Sequence, residues 1–242
     1  MQPELKPVRT DERGLGRGGY QVGREAGVAP EAQKVLRNTY MLLALTMVPT
    51  AIGAWIGMAS GGIIMASPMV SMLVLLAAVI GLQFGIAKYR NSGVGIALLL
   101  LMTGLLGWWL GPLLNVAFSM SNGMALVGYA AVGTGAIFFG MGAIASTTKR
   151  DFSFMGKFLF VGMIALLLAI FANMWLQIPA LALTISTLVI VVFSLFLLYD
   201  LQRIIRGGET NYVMATTGVY LSLFNIFANL LHLLMAFAGE RD

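Results

Sequence analysis

IIRGGETNY, residues 204–212, stands between two long apolar runs. A helix crossing lipid has no use for an arginine, a glutamate and paired glycines in its middle, because a charge at bilayer depth costs at least ~2.5 kcal/mol. The stretch therefore marks a turn in water between two membrane spans. Gly207 and Gly208 can end the first helix with positive φ. Thr210 or Asn211 can cap the second, and Tyr212 completes the turn motif. Arg203 and Arg206 lie at a helix C-terminus, where the macrodipole favours cations. Glu209 is the residue this connector explains least, although an acid near a helix N-terminus is itself ordinary.

The rest of the chain agrees. Of its 242 residues 59% are hydrophobic and only 10% charged, with a mean hydropathy of +0.87, outside the range of soluble domains. The apolar runs reach the roughly 20 helical residues that cross a hydrocarbon core. They are continuous instead of alternating, which selects helices over a barrel. The expected fold is all-α and integral to the membrane, with seven spans at 38–58, 67–87, 94–115, 123–146, 157–176, 179–199 and 211–237. Pro68 and Pro179 fall where a first helical turn accepts proline; Pro49 and Pro112 fall inside spans, where kinks are expected. Residues 1–33 are Gly-rich and charged, contain Pro3, Pro7 and Pro30, and read as a disordered cytoplasmic tail, leaving 34–242 as the transmembrane domain. No apolar core of a signal peptide precedes Lys34.

Basic residues give the orientation. They precede the first span and follow the second (Lys88, Arg90), fourth (Lys149, Arg150, Lys157) and sixth (Arg203, Arg206), which accounts for 14 of the 15 lysines and arginines. The connections around Ser60, Ser121 and Gln177 contain none. Such alternation places the N-terminus in the cytoplasm and, with seven spans, the C-terminus in the periplasm. The pI of about 9.7 is then a topology signal and calls for no nucleic-acid partner. The absence of cysteine excludes disulfides and thiol catalysis.

Polar residues in the last span follow helical spacing. Gly218, Ser222, Asn225, Asn229 and His232 form one stripe, and a stripe of unpaired polar groups facing lipid would cost several kcal/mol per group. The last span is therefore expected to be buried, its stripe serving as interhelical glue or as the wall of a polar path. His232 is the single histidine, too few for a zinc site, so a structural role or a proton-sensing role remains for it. Asp200 is the one carboxylate attached to a span, a functional candidate by its position. Its conceivable cationic partners are Lys88, Arg90, Arg203 and Arg206. Glycine pairs at i, i+4 (Gly53/Gly57, Gly81/Gly85, Gly107/Gly111) permit close helix approach and point only weakly to a homo-oligomer. No HExxH or GxSxG pattern occurs, no catalytic residue or cofactor is indicated, and no enzyme is expected.

KVLRNTY (34–40), LGPLLN (110–115), KRDFSFMGKFL (149–159), LYD (198–200), GGETNY (207–212) and VYLSLFNIF (219–227) together resemble the YccA-like branch of the Bax inhibitor membrane-protein family, in order from about residue 34 to 238. The resemblance implies seven helices with the last one central and the N-terminus cytoplasmic, in a bacterial inner membrane. It further implies a partner, the membrane-anchored AAA protease FtsH, whose action on other membrane proteins such proteins hinder and whose substrates they also are. Ion-leak members of the wider family carry an aspartate pair on the last two helices that acts as a proton-sensitive latch on a calcium path. Asp200 matches the first, but Ser222 occupies the second position, and a hydroxyl cannot share a proton with Asp200 as a carboxylate does. The main expectation is thus a modulator of FtsH-type proteolysis, with a pH-sensitive cation leak (calcium or proton) as the alternative.

Overall fold

In a computed structural model that describes residues 30–239, the chain forms seven helices: α1 (Pro30–Ala66), α2 (Pro68–Lys88), α3 (Gly93–Ser119), α4 (Gly123–Thr147), α5 (Met155–Leu176), α6 (Pro179–Ile205) and α7 (Tyr212–Gly239). Each is long and apolar enough to cross a membrane, and no strand occurs among the described residues. Most of the helices start and stop close to the sequence signals. Pro68 and Pro179 open α2 and α6, and Pro49 and Pro112 sit within continuous helix.

The largest departure from the expected spans is α1. It begins at Pro30 and runs to Ala66, so residues 30–33 of the expected tail are helical. Pro30 is tolerated in a first turn, Glu31 there suits the macrodipole, and Ala32 is buried. The remainder of the expected tail lies outside the described residues. α6 also extends beyond its apolar run, carrying Asp200, Gln202 and Arg203 on helix as far as Ile205.

α1 and α3 meet backbone to backbone. A Cβ placed on Gly53 would overlap the backbone of Gly104, one on Gly57 that of Trp108, one on Gly107 that of Thr50, and one on Gly111 that of Gly57 and Met58. Two of the three small-residue pairs are therefore consumed inside the chain. The third differs: Gly81 has no heavy atom within 4 Å of its Cβ position, while Gly85 meets only the Leu98 side chain, at 3.0 Å. Side chains complete the α1–α3 contact, with Trp108 Nε1 donating to Ser60 Oγ at 2.7 Å and Asn115 Nδ2 to Met58 O at 3.2 Å.

α7 packs against α1, α2, α3, α4 and α6, whereas α5 packs mainly on α6. α7 presents no exposed residue before Phe237. Tyr220, buried at its middle, brings its hydroxyl to 2.7 Å from Thr50 Oγ1 on α1 and 3.3 Å from Thr103 O on α3. The outward faces of the other helices carry large exposed apolar side chains such as Trp55, Phe84, Phe139 and Trp175. In a bilayer those faces meet acyl chains, which are as apolar as the side chains themselves.

Candidate functional site: the polar end of α6 and α7

The turn between α6 and α7 is built from its own backbone. Gly207 adopts φ +75°, a conformation that costs glycine nothing, and lets the N–H groups of Gly208 and Glu209 both donate to Arg203 O, at 2.8 and 3.1 Å. Asn211, one of the two expected caps, fills that role: its Oδ1 accepts from the N–H of Val213 at 3.0 Å and of Met214 at 3.1 Å. Thr210 is exposed, and Tyr212 opens α7. Glu209 joins the two helix ends. Its Oε1 accepts the Asn211 N–H at 3.0 Å, and its Oε2 pairs with Arg203 Nη2 at 3.1 Å.

The same segment holds the neighbouring connections. Asn211 Nδ2 donates to Arg90 O at 3.0 Å and Asn91 Oδ1 at 2.7 Å, fixing the α2–α3 turn. Arg206 donates to the carbonyls of Lys149 and Arg150 and lies 3.7 Å from Asp151 Oδ1. Gln202, almost fully buried, uses both ends of its amide: Nε2 donates to Arg150 O at 2.7 Å and Oε1 accepts the Phe152 N–H at 2.8 Å. Those contacts fix the α4–α5 connection. Within it, the Oγ–H and N–H of Ser153 donate to Asp151 and hold its carboxyl below the usual carboxylate range, with a smaller contribution from Arg206.

Beside this hub, α2, α6 and α7 leave a cavity of about 180 Å³, with polar walls from Gln83, Asp200, Arg203, Glu209 and Thr217. Asp200 faces Gly218: a Cβ on that glycine would stand 2.7 Å from Asp200 Oδ2. The missing side chain on α7 thus makes room for the carboxylate on α6. None of the four expected cations pairs with Asp200. Arg203 is taken by Glu209 and Arg206 by Asp151. Lys88 is exposed and lies over the Tyr89 ring, 5.5 Å from its centroid, and Arg90 is exposed in the α2–α3 turn. Among the described residues Asp200 has neither an ion pair nor a hydrogen bond: Arg203, which also lines the cavity, pairs with Glu209, and α2 contributes an amide, Gln83.

The polar stripe of α7 divides into parts. Ser222 is buried beyond Gly218, and no hydrogen bond joins it to Asp200. Asn225 and Asn229 donate to Leu221 O and Asn225 O of their own helix, at 2.8 and 2.9 Å. His232 lies 2.9 Å from Ser186 Oγ on α6, through Nδ1. No group of three His, Cys, Asp or Glu side chains that could hold a metal occurs among the described residues. Sequence reasoning missed Gln202 and Gln83; Gln83 carried a signal, an amide inside the apolar run of α2, whereas Gln202 stands among the polar residues that end α6.

The class these features define is a seven-helix integral membrane protein with one ionisable cavity, located at the end where its basic connections gather. Comparison with known proteins names the family. The model of the family described as inhibitor of apoptosis-promoting Bax1 matches residues 32–239, and the chain belongs to this Bax inhibitor family. It is 43% identical over 204 residues to an uncharacterized membrane protein of Vibrio cholerae, covering 84% of this chain and 90% of that protein. To the modulator of FtsH protease YccA of Escherichia coli K12 it is 42% identical over 201 residues, 83% of this chain and 89% of the relative. A further Escherichia coli relative with the same identity and coverage is named inner membrane protein YccA. The chain is a multi-pass protein of the inner membrane.

Proposed function

We propose that this chain binds and modulates an FtsH-type membrane AAA protease and is also a substrate of it, entered through the charged, glycine-rich segment that precedes α1. The observation that carries the proposal is the 42% identity, across 83% of the chain, to a protein named as a modulator of that protease. The alternation of basic connections supports a cytoplasmic N-terminus and a periplasmic C-terminus, which sets residues 1–33 on the side where a cytoplasmic protease acts. The unexposed length of α7 supports a bundle with α7 at its centre. Backbone contact between α1 and α3, and the clamps made by Gln202 and Arg206, give a body that resists extraction once a protease has gripped the tail. Modulation so described requires no catalytic group, and the names of the relatives assign no reaction.

The lifetime of the full chain, compared with that of a form lacking residues 2–33 in cells with and without the protease, tests the proposal. Protease-dependent loss of the full chain and persistence of the shortened one are expected. Equal lifetimes in all four cases would contradict it.

One observation favours a second reading, a cation leak: Asp200 lines the cavity without a cationic partner. A leak also needs a hydrated route through the bundle, for which Ser222, Asn225, Asn229 and His232 are the candidates. Against it, both asparagines bond to their own helix, and His232 is engaged with Ser186. Under the modulator reading Asp200→Asn leaves protease modulation intact. Under the leak reading the same variant changes the pH response of ion flux in liposomes.

A further inference from the structure

The α4–α5 connection, residues 148–154, has its polar backbone turned toward α6. The carbonyls of Lys149 and Arg150 accept from Arg206, the Arg150 carbonyl also accepts from Gln202, and the Phe152 N–H donates to Gln202. With the backbone held inward, the side chains of Lys149 and Arg150 are exposed, and so is that of Lys157 in the first turn of α5. None of the three has a carboxylate partner among the described residues. The local acid, Asp151, is occupied by Ser153 and Arg206. Beside the cations, Phe154 is 66% and Phe158 73% exposed.

We propose that this connection is a preformed site for the headgroup of an anionic phospholipid. The connection joins two membrane-spanning helices, so it lies at the level where headgroup phosphates lie. Lys149, Arg150 and Lys157 supply charge for the phosphodiester, and Phe154 and Phe158 supply apolar surface for the adjoining acyl region. A free phosphate would use the cations alone, whereas a lipid uses the cations and the two aromatic rings together. The clamp from Gln202 and Arg206 orders the loop before a ligand arrives, which lowers the cost of binding. Of the other basic connections, that at Lys88 and Arg90 offers two cations, one of them already over the Tyr89 ring, and that at Arg203 and Arg206 has both of its cations paired with carboxylates. The site stands independently of any protease partner.

The test uses the full chain in phosphatidylcholine bilayers, with spin-labelled phosphatidylglycerol as probe and spin-labelled phosphatidylcholine as reference. Electron spin resonance reads the fraction of each probe restrained by the protein. Each cation near an anionic lipid is worth up to roughly a factor of five, so the triple variant K149Q/R150Q/K157Q, which removes three of them, is expected to lose the preference for phosphatidylglycerol by up to roughly a hundred-fold. Gln202→Met changes no charge but frees the loop, and a smaller loss is expected. K88Q/R90Q is expected to keep the preference. Unchanged preference in the triple variant would overturn the proposal, as would an equal loss in K88Q/R90Q, the mark of general surface charge. Intact lipid preference combined with weakened capture of a protease complex would also overturn it, by making the patch a protein-docking face.

Discussion

Two regions of this bundle solve the problem of helix contact in opposite ways. Where α1 meets α3, side chains are removed: Gly53, Gly57, Gly107 and Gly111 bring backbone onto backbone. Where α2, α6 and α7 converge, polar side chains are retained and Asp200 faces a cavity opposite Gly218. Glycine serves both regions. In the first it lets another backbone in, and in the second it leaves space for a carboxylate. In lipid, where no hydrophobic drive brings helices together, close packing gives rigidity, and an ionisable group kept at depth marks the place where function is to be sought. Close backbone packing is thus concentrated at the α1–α3 contact, and the ionisable group at the cavity.

The comparison is broken most severely at the α1–α3 contact. Gly57→Leu is expected to cost roughly 3 kcal/mol or more, because the obstacle is backbone that cannot move aside. Gly81→Leu, with open space around it, is expected to change little. Thermal unfolding of the two purified variants measures the gap, and similar losses in both would erase the distinction. Next comes Gln202→Leu, which strips the Phe152 N–H of its partner and the Arg150 carbonyl of one of two. About 1–3 kcal/mol is expected, read as a lower unfolding temperature together with faster tryptic cleavage after Lys149 and Arg150.

Asn211→Ala removes the α7 cap and is expected to cost about 1 kcal/mol, visible as faster amide exchange at Val213 and Met214. The smallest change in stability, and the sharpest test of the cavity, belongs to Gly218→Ala. Its added methyl meets the mobile end of Asp200 and not a backbone, so the carboxylate shifts and the fold holds. Labelling of Asp200 by an apolar carbodiimide is expected to slow several-fold while the unfolding temperature stays within a few degrees of the parent. Unaltered labelling would mean that the carboxylate does not depend on the space at Gly218.

The spans were legible in the sequence because continuous apolar runs bounded by Gly, Pro and charge carry their own limits: α2, α3, α4, α5 and α7 begin and end close to the expected residues. α1 was not, since its first residues, Pro30–Lys34, are polar enough to read as tail and become helical in company with a packed Ala32. Turn chemistry made Asn211 legible as one of two possible caps and Gly207 as one of two glycines suited to positive φ; Gly208 does not adopt it. Glu209 was not legible, because its use depends on Arg203 being turned back over the helix end.

Long-range partners account for the remaining differences. Sequence spacing placed Gly53/Gly57, Gly81/Gly85 and Gly107/Gly111 on equal terms. Only the packed chain shows that the first and third pairs face each other while Gly81 faces open space. Gln202 reaches a loop about 50 residues earlier, a distance that no local pattern encodes. Asp200 lies on α6, as expected of a carboxylate attached to a span, but it pairs with none of the expected cations, and its neighbour across the helix contact is a glycine.

The proposal that this protein modulates an FtsH-type protease meets its hardest test on another substrate. The degradation rate of an unrelated membrane substrate of the protease is measured in cells producing the full chain, the form lacking residues 2–33, or neither. Slower degradation with the shortened, persistent form than with neither is the predicted result. An unchanged rate at equal protein levels would contradict the claim.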